Sequence, residues 1–195
     1  MTTPYPIIHI NAYPGTGKLT IATALTTLLP KTTKLVHNHL LINPADAILT
    51  RSQPGYQALR RSIRAAVFQT LIHEPATHNT AYIFTDFQST DEVGSAVCKE
   101  FENAAAERGG KFVPIVLWCR EDVNLERLIE GERKERGKLV NVELVKGFRE
   151  RVEIFKFKGN ENALLLDVSD LMAGEAAEKI KVHLIGVCPE LEGHS

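Results

Sequence analysis

The sequence predicts a three-layer α/β/α fold built on a five-stranded parallel sheet. Three observations carry that expectation. Short apolar runs alternate with amphipathic stretches along almost the whole chain. Several of these runs are apolar throughout rather than at every second position, as strands covered on both faces must be. A glycine-rich turn, Pro14-Gly15-Thr16-Gly17, joins the first apolar run to the first amphipathic stretch.

The elements follow in order. Ile7-Ile8-His9-Ile10 is the first strand, and Lys18 to Leu29 is the helix after it, stopped by Pro30. Thr33 to Val36 is a second strand. A long helix runs from about Gly55 to His73, with Leu59, Ile63, Ala66, Val67 and Leu71 at helical spacing. Ala81-Tyr82-Ile83-Phe84 is the third strand. Ser89-Thr90-Asp91-Glu92 fits a capping box and opens a helix ending near Gly109-Gly110. Phe112 to Cys119 is the fourth strand. Asp122 caps the next helix, through Leu125, Leu128 and Ile129, and Asn141 caps another. Ala163 to Leu166 is the fifth strand, and Glu175 to Ile185 the last helix. Residues 1–188 read as a single domain, with 189–195 as a flexible C-terminal tail.

Composition narrows the function classes. A chain of 195 residues can bury one substantial core. The formal net charge of −1 provides no global basic field, so nucleic acid is not the expected main partner. Cys98, Cys119 and Cys188 are odd in number and far apart, which argues against a disulfide framework or a zinc site. No basic n-region and no apolar run of about 18 residues is present, so neither a signal peptide nor a membrane span is expected. A cytoplasmic location is the expectation.

The segment Ala12-Tyr13-Pro14-Gly15-Thr16-Gly17-Lys18-Leu19-Thr20 is the first candidate site. Gly15 and Gly17 permit backbone conformations closed to other residues. Successive N–H groups can then face one anion-sized concavity, and the helix starting near Lys18 adds its positive end. Lys18 supplies a mobile charge for the outer phosphates. The match to G-x-x-x-x-G-K-[ST] is imperfect. Ala12 stands where the first glycine is expected, and Leu19 where the Mg²⁺-binding hydroxyl is expected.

Other residues could complete a phosphoryl-transfer site. Asp86 ends the third strand and resembles a Walker B carboxylate that orders Mg²⁺ water. His37-Asn38-His39 closes the second strand, where two imidazoles could bind or deprotonate a hydroxyl, with Asp46 the nearest acid downstream. Arg60, Arg61 and Arg64 share one face of the long helix and could form an anion site or a plain basic surface. The run from Leu125 to Lys138 carries Arg127, Arg133 and Arg136 among glutamates.

Taken together, these motifs resemble P-loop kinases of the adenylate, shikimate and gluconate kinase type. The chain looks most similar to a group labelled AAA-family ATPase or shikimate-kinase-like. The resemblance rests on His37-Asn38-His39-Leu40, Ile83-Phe84-Thr85 and Arg133 followed by Gly137-Lys138-Leu139, and spans residues 6 to 185. It implies a sheet in the order 2-3-1-4-5. It implies that Pro14, Gly15, Thr16, Gly17, Lys18, Leu19, Thr20 and Arg127 hold ATP. In adenylate-kinase-like loops the threonine stands two residues after the lysine, as Thr20 does here. Mg²⁺ would then be held partly through water by Thr20 and Asp86. A mobile lid is expected around 130–140, with Arg133 and Arg136 neutralising the transferring phosphoryl group. In shikimate and gluconate kinases an aspartate near the second strand's end contacts the acceptor; this chain offers Asn38 and His39 there. Nucleoside monophosphate kinases use arginines in the region of Arg60 and Arg64 for an acceptor phosphate.

The leading expectation is therefore ATP-dependent phosphoryl transfer to a small molecule. Lys18, Asp86, Arg133, Arg136 and His39 would be catalytic, and His37, Asn38, His39, Arg60 and Arg64 would bind the acceptor. A nucleoside monophosphate or nucleic-acid end kinase is one alternative. A nucleotide-binding regulator or ATPase without kinase activity is another. The sequence identifies neither the acceptor nor the oligomeric state.

Overall fold

A computed structural model describes residues 3–129, 149 and 151–192. Five parallel strands form one sheet: β1 (Ile7–Ala12), β2 (Lys34–His37), β3 (Tyr82–Asp86), β4 (Phe112–Trp118) and β5 (Leu164–Asp167). Their order is β2-β3-β1-β4-β5, as expected. The named helices are α1 (Lys18–Leu28), α2 (His39–Asp46), α3 (Tyr56–His73), α4 (Glu92–Arg108), α5 (Glu121–Ile129) and α6 (Ala173–Val187).

Successive side chains of a strand point to opposite faces, and β1 separates two chemistries in this way. Ile8, Ile10 and Ala12 join an aliphatic core under α1 and α6, with Leu25, Ile115, Ile180 and Leu184. Ile7 joins an aromatic core under α3 and α4, with Phe68, Phe84, Phe101 and Phe112. His9 shares that second face, its ring 4.3 Å from Phe101 between centroids. The parallel register places Asn11 opposite Asp86, so the tips of β1 and β3 end together.

Four local readings of the sequence are corrected. α2 was not expected, because Pro44 lies inside it and cannot donate a backbone hydrogen bond. α4 is capped by Asp91 rather than Ser89: the Asp91 carboxylate accepts from Gly94 N–H at 2.7 Å, and the Ser89 hydroxyl donates to that same carboxylate. α5 begins at Glu121, so Asp122 lies in its first turn, where it suits the positive end of the helix. The chain stays packed beyond residue 188: Pro189–Leu191 form a 3₁₀ turn, and Leu191 is buried in the aliphatic core. Asn141 lies outside the described residues.

Candidate phosphate and acceptor site

The loop between β1 and α1 is built from its glycines. Gly15 and Gly17 both have φ of +92°, the left-handed region open to glycine. A loop presents N–H groups to an anion only when its carbonyls turn away and are satisfied elsewhere. Here those carbonyls have partners. The Lys18 ammonium donates to Ala12 O at 3.0 Å and Tyr13 O at 3.3 Å. Asn124 Nδ2 donates to Pro14 O at 2.9 Å, and Arg127 Nη1 to Thr16 O at 3.3 Å. Gly17 is the N-cap of α1, so Lys18, Leu19 and Thr20 form its first turn. Thr20 is exposed there, whereas Thr16 is fully buried beside Cys119. Thr16 therefore lines the loop with backbone alone. Burial raises the Cys119 thiol's pKa.

Arg127 is more than a surface charge of α5. Its guanidinium also donates to Val168 O at 3.0 Å and to Leu171 O at 3.3 Å, bridging the loop to the turn after β5. Two further residues at this site escaped the sequence reading. Asn124 is fully buried, and its one signal was a polar residue four positions before the apolar Leu128. Arg149 donates to Asn124 Oδ1 at 3.1 Å and to Cys119 O at 3.0 Å, and no motif marks it.

Asp86 stands at the tip of β3, 6% exposed. One carboxylate oxygen accepts Phe87 N–H at 2.8 Å, and the other accepts Gln88 Nε2 at 2.6 Å. The turn that carries it is pinned by Asn11. That carboxamide donates to Gln88 O at 2.9 Å and to Phe155 O at 3.1 Å, and accepts Gln88 N–H at 2.8 Å. Asp86 is thus oriented by its neighbours, and a carboxylate that accepts these two hydrogen bonds keeps further acceptor capacity.

At the other end of the site, His37 finishes β2 and His39 begins α2, with ring centroids 6.2 Å apart. Asn38 occupies the cap position without a side-chain cap bond. His39 Nδ1 lies 3.3 Å from Asn43 Oδ1. Asp46 is engaged: Tyr56 donates its hydroxyl at 2.6 Å, and Arg51 approaches to 3.4 Å. The Tyr56 hydrogen bond, with Arg51 and Arg60 charge behind it, holds the Asp46 carboxyl below its usual range.

The arginine face of α3 is not one surface. Arg64 is 5% exposed and meets Glu100 of α4 in a two-pronged pair, at 2.7 and 3.2 Å. Arg61 reaches the same carboxylate at 3.7 Å from solvent. The face expected to await an anion is, at Arg64, already turned into the α3–α4 contact. Arg60 stays near Asp46 and Tyr56. Arg133 and Arg136 lie outside the described residues.

A parallel sheet in this order, with a glycine loop between β1 and α1, defines the P-loop kinase fold. No family model and no curated protein matches the chain. Solved structures do. A gluconokinase from Sinorhizobium meliloti 1021 is 14% identical with a TM-score of 0.60, covering 98% of this chain and 97% of its own. A thymidylate kinase from Candida albicans is 15% identical with a TM-score of 0.59, covering 98% and 96%. A shikimate kinase from Bacteroides thetaiotaomicron is 17% identical with a TM-score of 0.57, covering 91% and 97%. The likeness is one of fold across nearly the full length of each chain. Among the described residues, no helix is long and apolar enough to cross a membrane.

Proposed function

We propose that the protein transfers a phosphoryl group from ATP to a hydroxyl of a small-molecule acceptor. One observation carries this reading: a loop whose Ala12, Tyr13, Pro14 and Thr16 carbonyls are turned to protein partners lies beside a strand-tip carboxylate, Asp86, held in register with β1. The residues fit a triphosphate. The N–H groups of Gly15 to Lys18 and the positive end of α1 suit its anionic oxygens. Lys18 rests within its own loop and can swing to the outer phosphates. Thr20 and Asp86 suit Mg²⁺, which keeps much of its water and would neutralise charge on the transferring group. Arg127, between the loop and the turn after β5, would flank the nucleotide. His39 would face the acceptor hydroxyl, with His37 and Asn38 beside it. Arg133 and Arg136 are the proposed partners of the transferring group.

The pairing of Arg64 with Glu100 favours an acceptor without phosphate over a nucleoside monophosphate or a nucleic-acid end. An acceptor phosphate would have to compete with the half-buried Glu100 carboxylate for that guanidinium.

The test is ATP consumption against a panel of sugar acids, polyols and nucleosides, repeated with Lys18→Ala. Turnover should fall by about 10²–10³-fold, with the thermal midpoint nearly unchanged. Equal loss of fold and activity would overturn the role of Lys18. Nucleotide binding with no phosphorylated product from any acceptor would favour a regulator.

A further inference from the structure

We infer that Asn124 is a positioning residue that shapes the phosphate loop and joins it to Arg149. The inference rests on the reading of that loop as a nucleotide site. Asn124 is fully buried, and both ends of its carboxamide are used. Its Nδ2 donates to Pro14 O at 2.9 Å, while its Oδ1 accepts from Arg149 Nη1 at 3.1 Å. The Arg149 guanidinium carbon also lies 5.2 Å from the centre of the Tyr13 ring. Tyr13 in turn donates its hydroxyl to Val152 O at 2.6 Å. Tyr13 and Pro14 of the loop are therefore held on one side by Asn124 of α5 and on the other by Arg149 and Val152. The fit is close: a Cβ at Gly15 would lie 2.4 Å from Asn124 Nδ2.

The chemistry selects asparagine. The Pro14 carbonyl must be drawn away from the anion, which needs a donor. The Arg149 guanidinium, beside the Tyr13 ring of the loop, needs an acceptor. A carboxamide supplies both from one short side chain. An aspartate of the same shape would keep the Arg149 contact, lose the Pro14 bond and set a carboxylate against that carbonyl. Asn124 thus fixes the loop and the azimuth of Arg149 together, so that nucleotide affinity should depend on both residues as a unit.

The experiment is calorimetric binding of Mg·ADP, with steady-state kinetics wherever an acceptor is in hand. Asn124→Asp should weaken Mg·ADP by about tenfold to a hundredfold, with the thermal midpoint retained. KM for ATP should rise while KM for the acceptor holds. Asn124→Ala and Arg149→Ala should be non-additive in binding, because each removes the same shared contact. Wild-type affinity in both Asn124 variants, or strict additivity in the cycle, overturns the inference while leaving the proposed function intact. If the Asn124 variants do not fold, half-buried Arg149 decides alone: Arg149→Ala with unchanged Mg·ADP affinity overturns it. A wild-type protein that binds neither ADP nor ATP overturns the nucleotide reading itself, and this inference with it.

Discussion

The phosphate loop and the region from β2 to α3 sit at the same edge of the sheet, and they are held in opposite ways. In the loop, side chains from Lys18, Asn124 and Arg127 hold backbone carbonyls. From β2 to α3, side chains hold one another: His39 with Asn43, Asp46 with Tyr56 and Arg51, Arg64 with Glu100. A backbone fixed at four carbonyls can present one shape to one kind of ligand. Paired side chains can exchange partners, and they suit the proposed acceptor end, where ligands differ. The contrast predicts that small changes to the loop cost binding, and that changes beyond β2 divide into structural and functional ones.

The largest effect should come from Gly15→Ala. The new Cβ would sit 2.4 Å from Asn124 Nδ2 and 3.0 Å from Asn124 O, on a backbone with φ of +92°. Relieving that contact means moving backbone and losing the Pro14 bond. Affinity for Mg·ADP should drop beyond about a hundredfold, and the left-handed backbone alone adds about 1–2 kcal/mol of strain. Calorimetry and thermal melts on the same samples would check this. Retained affinity would mean that the loop is as adaptable as the acceptor side, and the comparison would collapse.

The next effect separates two arginines one helical turn apart. Among the described residues, removing Arg64 leaves Glu100 paired with the solvent-side Arg61 at 3.7 Å. Breaking such a largely buried pair should cost about 3 kcal/mol. Arg60→Ala should cost under about 1 kcal/mol and act instead on acceptor KM. Urea unfolding of the two variants gives the stabilities. An Arg60 variant as unstable as the Arg64 one would place both in the scaffold and leave α3 no part in acceptor binding.

These contrasts mark where the sequence was legible. Periodicity located every strand within a few residues, and Gly15-Thr16-Gly17-Lys18 announced its own conformation, a left-handed glycine turn before a helix. What periodicity cannot reveal is which residue a polar side chain will meet across the fold. Arg60 and Arg64 look identical in sequence, and only the packing of α3 on α4 sets them apart. Asn124 and Arg149 are 25 positions apart and meet only because both reach the loop. Pro44 hid α2 because a local rule was outweighed by its packing on α3, sealed by the Asp46–Tyr56 bond. The weakest sequence reading thus fell on the region that side chains hold together, as a motif-based reading must.

The smallest effect at neutral pH lies beneath both regions, at His9. Its ring packs among Phe101, Phe157 and Phe112, and among the described residues neither nitrogen has a hydrogen-bond partner. Burial, partly opposed by the charge of Asp86, pushes its pKa down to about 4. In the unfolded chain an imidazole binds a proton below about 6.5. Between those values the unfolded state takes up a proton that the folded state refuses, so stability must fall as the pH drops. The full loss across that window is about 3 kcal/mol, and above neutrality the contribution is flat. His9→Phe should remove this slope. At pH 7 it should also gain about 1 kcal/mol, as two unsatisfied nitrogens disappear and a slightly larger ring strains the core. The readout is the difference in unfolding free energy between variant and wild type at pH 5 and at pH 8, which cancels the carboxylates common to both. A difference that does not change with pH would mean that His9 takes up its proton in the folded state. The aromatic face of the sheet would then tolerate a charge two residues before Asn11, among Phe101, Phe112 and Phe157.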